Sequence, residues 1–206
     1  MQLIRNHKGF TLIELAIVLI IIGVILGAVL KGQDLIQNAR IKTFINKVRA
    51  WEIAQWNHYD RKGRFAGASG ERLIGNGNVK EDLINAKFIN PPYEGSSGSE
   101  TNKITIGSHT FFVYFGNDGK RNIMTICIHE TCGAQFTEDT IMYAEAFDTS
   151  IDGLADGENG QVIGAKIGEN PDTDRWILKF DSEQAIAVYP WQDFPYAIIY
   201  YFDGKR

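Results

Sequence analysis

Cysteine is scarce in this chain of 206 residues: only Cys127 and Cys132 occur, enough for one disulfide and too few for a disulfide-built scaffold. An excess of positive charge is missing as well. The net charge is −4, and setting aside Arg5, Lys8 and Glu14, which flank or interrupt a long apolar run, leaves 19 basic against 24 acidic residues, about −5. That balance argues against a nucleic-acid groove, so no nucleic acid is expected as a partner. No internal repeat is visible, and no GxSxG or Ser-His-Asp arrangement appears. The four histidines, His7, His58, His109 and His129, are scattered along the chain. Nothing in this inventory supports catalysis, and the chain is expected not to be an enzyme. With 44% hydrophobic and 22% charged residues the composition is that of a folded protein, and the length suffices for one core plus an anchor.

What the sequence does have is a long apolar run near its start. From Phe10 to Leu30, 21 consecutive residues carry a single ionisable side chain, Glu14. As a helix they span about 31 Å, one membrane crossing. A cleavable secretory leader has a shorter apolar region, about 7–15 residues, ending at a small-x-small site. The one plausible exit here, Leu26-Gly27-Ala28, places bulky Leu26 where a small residue is needed, so the run is expected to remain in the mature chain. A carboxylate in lipid costs about 2.5–3.5 kcal/mol, so Glu14 needs a partner, a function, or a position near the headgroups. Gly23 and Gly27 form a GxxxG pair that permits close helix approach, or they are small residues tolerated in a membrane helix.

The residues around Glu14 narrow the choice. Lys8-Gly9-Phe10-Thr11-Leu12-Ile13-Glu14-Leu15 reads KGFTLIEL and resembles the leader junction of type IV prepilins and type II secretion pseudopilins. The resemblance covers a short basic leader, a glycine, a phenylalanine, a glutamate at the fifth position after the junction, and an unbroken apolar helix. It implies cleavage between Gly9 and Phe10 by a prepilin peptidase at the cytoplasmic face, then N-methylation of Phe10. Glu14 would offset the new amine of a neighbouring subunit during assembly, a pairing that suits a low-dielectric filament core. The implied partners are other pilin or pseudopilin subunits, the peptidase and an inner-membrane assembly platform. The implied location is the inner membrane, then a periplasmic pseudopilus or an extracellular pilus. Two features depart from the simplest expectation. Basic residues after the span, Lys31, Arg40, Lys42, Lys47 and Arg49, outnumber Arg5 and Lys8 before it, against a plain positive-inside count. Most of them lie nine or more residues beyond the span, and long domains cross largely regardless of charge. Many family members also carry a proline just after the apolar segment, where this chain has Leu30-Lys31-Gly32.

Beyond the membrane segment, Asp34 to Tyr59 reads as a continuing helix. Ile41, Phe44, Ile45, Val48, Trp51, Trp56 and Tyr59 recur at mostly three- and four-residue spacing, and Gly63 is a stop signal. Turn residues at Gly75-Asn76-Gly77-Asn78 precede a short helix expected near Lys80 to Lys87, ended before Pro91-Pro92. The stretch from Pro91 to Asn102 is a Gly/Ser-rich loop. Strands are expected at Lys103–Ile106, Thr110–Phe115 and Ile123–His129, forming an antiparallel meander with turns at Gly107-Ser108 and Asn117-Asp118-Gly119. A helix follows at Thr137 and Thr140–Phe147, then strands near Trp176–Phe180, Ala185–Tyr189 and Tyr196–Phe202. The expected fold is α+β and pilin-like, a long N-terminal helix with a membrane half and an amphipathic half packed on an antiparallel β-sheet head. Its expected parts are a leader at 1–9, the membrane or filament-core helix at 10–30, the amphipathic half at 31–60 and the head at 61–206.

Three clusters in the head invite chemistry. Cys127 and Cys132 end a strand, and in an exported domain a disulfide there would add about 2 kcal/mol. Zinc held by Cys127, His129 and Cys132 is the rival, lacking a fourth ligand or a paired CxxC. Asp148, Asp152 and Asp156 sit in an acidic, glycine-bearing run that resembles a loop of pilin-like heads, some of which bind calcium. Counted from Asp152, however, Leu154 and Ile163 fall where an EF-hand needs oxygen ligands, and an ordinary solvated turn is the favoured reading. No cofactor is required. Aromatic residues crowd the C-terminal stretch, among them Trp176, Tyr189, Trp191, Phe194, Tyr196, Tyr200, Tyr201 and Phe202. They read as strand residues of a core in preference to a glycan-binding patch. Functionally the chain reads as a structural filament subunit, with an adhesive minor pilin and a membrane-anchored protein of other function as alternatives.

Overall fold

No proline occurs before Pro91, so nothing removes a backbone donor from the apolar run and the segment after it. In the computed structural model, which describes residues 9–73, 77–167, 171–178 and 186–204, a single helix α1 runs unbroken over Leu12–Lys62. The chain divides into two compact units, Met1–Arg40 and Ile41–Arg206. In the first, α1 is exposed along almost its whole length, its apolar side chains included. It is, among the described residues, the one helix long and apolar enough to cross a membrane. Both the turn at Gly75-Asn76 and most of the leader lie outside the described residues.

In the second unit, α1 from Ile41 onward has an apolar stripe. Phe44, Val48, Trp51, Ala54, Gln55 and His58 are buried, the spacing of one helix face. The two polar members are satisfied locally: Gln55 Oε1 accepts from the Ala66 amide at 2.9 Å, and His58 Nδ1 lies 2.8 Å from the Arg64 carbonyl. The helix stops at Gly63, whose φ of 71° is the left-handed conformation glycine adopts without steric cost. The stripe packs on an antiparallel sheet of six strands: β1 (Lys103–Ile106), β2 (His109–Asn117), β3 (Asn122–Cys127), β4 (Val162–Lys166), β5 (Ala187–Val188) and β6 (Ala197–Tyr200). Their order in the sheet is β1-β2-β3-β6-β4-β5.

Alternation along the strands sets two faces. Phe111, Val113, Phe115, Met124, Ile126, Ile198 and Tyr200 join Phe44, Val48 and Trp51 in the main core. Tyr114, Cys127 and Ala197, and separately Ile123, Ile163, Ala165, Ile199 and Tyr201, form buried clusters on the other. Being covered on both sides, β3 is buried at all six positions and shows no polar alternation. Phe44 centres the aromatic packing, with ring centroids 4.7 Å from Phe111 and 5.4 Å from Tyr143.

Two further helices complete the unit. Helix α2 spans Val79–Asn85, and its cap Asn78 accepts from the Glu81 amide at 3.0 Å. Helix α3 spans Glu138–Asp152, with Thr137 and Thr140 forming a reciprocal cap and Gly153 ending it in the left-handed conformation. It therefore continues five residues past Phe147, so Asp148 and Asp152 belong to a helix and not to the loop expected there. The expected strand at Trp176–Phe180 is corrected too. Within its described part Trp176 has a φ of 55°, and Ile177 makes only isolated bridges to Phe115 and Asp172. Strand β4 and a 3-10 turn at Trp191–Asp193 were not foreseen. Of the aromatic residues near the C-terminus, Trp176, Trp191, Tyr200, Tyr201 and Phe202 are buried, as a core requires.

Candidate processing and assembly site

Gly9, Phe10 and Thr11 precede the helix and are exposed, Phe10 at 87%. Thr11 is where the helix begins: its carbonyl accepts from the Leu15 amide at 3.3 Å, the first intrahelical bond. The first amides of any helix lack intrahelical partners and must find acceptors elsewhere. Here the Thr11 hydroxyl accepts from the Glu14 amide at 3.3 Å, while Glu14 Oε2 accepts from the Thr11 amide at 2.9 Å and from the Thr11 hydroxyl at 2.8 Å. This is a capping box, Thr at the cap and Glu three residues on, each satisfying the other's backbone donor. The sequence reading of Glu14 weighed a partner in another subunit against a position near the headgroups and missed Thr11. The signal was present, since a Thr-x-x-Glu ahead of an apolar run is the signature of this cap. A carboxylate has acceptor capacity for about four hydrogen bonds, so two donors from Thr11 leave room for a neighbour's ammonium group.

The other candidate residues lie in the head. Cys127 and Cys132 are joined as a disulfide, Cα atoms 5.1 Å apart, buried beside Tyr114, Leu178 and Ala197. The Tyr114 hydroxyl donates to the Glu130 carbonyl at 2.7 Å, tying the small loop to β2, and burial pushes that phenol up to about 12. With both sulfurs so joined, the zinc alternative loses its thiolates, and His129 instead contacts the Thr131 hydroxyl through Nδ1 at 2.9 Å.

The three aspartates do not converge. Asp148 is fully buried, and its Oδ2 accepts from the Trp191 indole at 2.8 Å and from the Gly157 amide at 3.1 Å. Asp152, one helical turn later, accepts from the amides of Gln161 at 2.9 Å and Val162 at 2.8 Å. Asp156 turns to the amides of Glu158 and Asn159, at 2.9 and 3.0 Å. Each carboxylate accepts from a backbone amide of the segment 157–162, Asp148 also from Trp191, and among the described residues no group of three His, Cys, Asp or Glu side chains could hold a metal ion. The arrangement fits a pinned loop, and it does not fit the three-carboxylate calcium set. Burial raises the Asp148 carboxyl to about 6, against the lowering effect of Trp191 and Gly157 and with further raising by Asp152.

Comparison with known proteins bears on the N-terminal segment. No curated protein and no solved structure gives a significant match to the chain. Residues 4–30 match the model of the prokaryotic N-terminal methylation motif, a stretch that contains Gly9, Phe10, Thr11 and Glu14. The chain thus carries a prokaryotic N-terminal methylation motif at the head of a long apolar helix, and with its α+β head it is consistent with a type IV pilin-like prepilin.

Proposed function

We propose that the protein is a structural subunit, a pilin or pseudopilin, of a type IV pilus-like or type II secretion filament. The methylation motif over residues 4–30 carries this reading. The leader is removed between Gly9 and Phe10 by a prepilin peptidase, Phe10 is N-methylated, and the exposed apolar part of α1 passes from the inner membrane into a filament core built with other subunits. An inner-membrane platform drives the transfer, and the head then stands in the periplasm or outside the cell. The role is structural: the carboxylates and cysteines of the head described above serve the fold.

Glu14 gives this reading its test. Its carboxylate pairs with the methylated amine of a neighbouring subunit while keeping its bonds to Thr11. Glu14→Gln preserves the cap, because an amide oxygen also accepts, and removes the charge. Charge-assisted pairs are worth about 1.5–3 kcal/mol, about tenfold or more in recruitment to a growing filament. The variant is expected to insert and be cut normally, yet to be about tenfold depleted from sheared filaments and retained in membranes. Equal amounts of variant and wild type in the filaments would contradict the pairing.

A further inference from the structure

We infer that Asp148 and Asp152 form a proton-operated latch on the loop between α3 and β4: a proton on Asp148 keeps the loop fastened, and its loss lets Asp152 release the end nearest β4. The inference concerns the head alone and does not depend on the filament reading. The two carboxyl groups stand on successive turns of α3 and hold different parts of one loop. Asp148 Oδ2 accepts from the Gly157 amide and the Trp191 indole, and Asp152 Oδ2 accepts from the amides of Gln161 and Val162. The loop is built closely around them. A Cβ at Gly160 would meet the Asp152 carboxyl carbon at 2.5 Å, and one at Gly157 would meet the Trp191 ring at 2.9 Å. Asp148 has no exposed surface, and its Oδ1 meets no donor. A proton resolves that deficit. Placed on Oδ1, since Oδ2 already takes two donors, it lets Asp148 donate to the Asp152 carboxylate. Burial above all, with Asp152 adding to it, raises the Asp148 carboxyl to about 6.

As pH rises through that range, the O–H bond of Asp148 breaks, its electron pair stays on the carboxylate and the proton passes to water. Two anions then face each other with no donor between them. Asp148 is held in the interior by Trp191 and Gly157, whereas Asp152 is exposed, so Asp152 turns to water and gives up Gln161 and Val162. The surrounding elements supply no cation to hold it. Tyr200 of β6 interacts with Asp152 and stays a phenol, its pKa pushed up by burial and by Glu52 of α1, with Arg49 opposing. On the 3-10 turn Asp193 is exposed, on β4 Lys166 lies at the far end, and on the loop Asp156 is held by the amides of Glu158 and Asn159. Glu52, also raised by burial, is the rival titrating group.

The test is amide hydrogen exchange of the full chain in detergent at pH 5 and pH 7.5, each rate divided by the intrinsic rate at that pH. Carboxylates sharing a site disfavour each other's ionised forms by about tenfold. In wild type, protection of Gln161 and Val162 is therefore expected to be about tenfold lower at pH 7.5, while Gly157, still bonded to Asp148, changes less than about twofold. Asp148→Asn donates to Asp152 at any pH and is expected to keep both amides protected at both. Asp152→Ala removes the catch, and both amides are expected to be poorly protected at both. Wild-type protection unchanged by pH would overturn the inference. So would a fall shared equally by Gly157, which would mean the whole head loosens. A pH effect surviving in either variant would also overturn it, assigning the titration to Glu52 or another group.

Discussion

Asp148 shows how far one residue can set the pH response of the head. Its carboxyl is buried, takes two donors on Oδ2, and has no hydrogen-bond partner at Oδ1. Its pKa of about 6 in the folded chain lies above the ordinary 3.8, so between those values the folded state holds a proton that the unfolded state has released. Stability therefore falls as pH rises from about 4 to about 6 and is level above that, a loss of at most about 3 kcal/mol. Burial raises Glu52 and Asp203 in the same direction, while Asp82, where burial is outweighed by bonds from Arg64 and the Gly67 amide, is lowered and acts oppositely. Asp148→Asn isolates the one residue, since its amide oxygen still accepts from Trp191 and it carries no charge. Thermal melts of the purified full chain in detergent are expected to show the variant equal to wild type near pH 4.5 and more stable near pH 7.5. A variant less stable than wild type at both pH values would mean that Asp148 stabilises the fold as an anion.

At the scale of elements, the short loop closed by Cys127 and Cys132 is the clearest case. Closing a loop this small restricts the unfolded chain by about 2 kcal/mol, about 4–8 °C in Tm for a head of this size. The double substitution Cys127→Ala and Cys132→Ala is expected to lower the Tm by that amount while the head still folds. An unchanged Tm, or free thiols in the exported wild type, would remove the disulfide from the account. Elements also show what the sequence could reveal. Helix α1 was legible because its apolar run and the Phe44, Val48, Trp51 stripe are periodic, and β1 to β3 because sharp turns separate them. Strand β4 was not, since its five residues have a glycine, Gly164, at their centre and no alternation of apolar with polar side chains. That glycine is required by packing: a Cβ there would meet the Pro195 and Trp191 side chains at 3.0 Å and press on the Tyr189 carbonyl. Trp176 misled for the opposite reason, being an aromatic in an apolar stretch that packs against Trp51 from a left-handed turn and not from a strand. Asp148 and Asp152 looked like loop ligands because the local sequence does not show that α3 runs on to Asp152 before Gly153 ends it.

At the scale of the whole molecule, a folded α+β head accompanies a helix whose apolar side chains from Leu12 to Leu30 are exposed. A soluble protein would not keep such a surface, and a lipid bilayer or a bundle of like helices supplies the missing environment. In the proposed function, processing at the methylation motif over residues 4–30 precedes passage of the chain from the first to the second. The account stands on that processing step, and intact mass spectrometry of the protein recovered from membranes and sheared filaments tests it most directly. It predicts a chain that begins at Phe10 and carries one added methyl group on its amine. A chain that still begins at Met1 would contradict it.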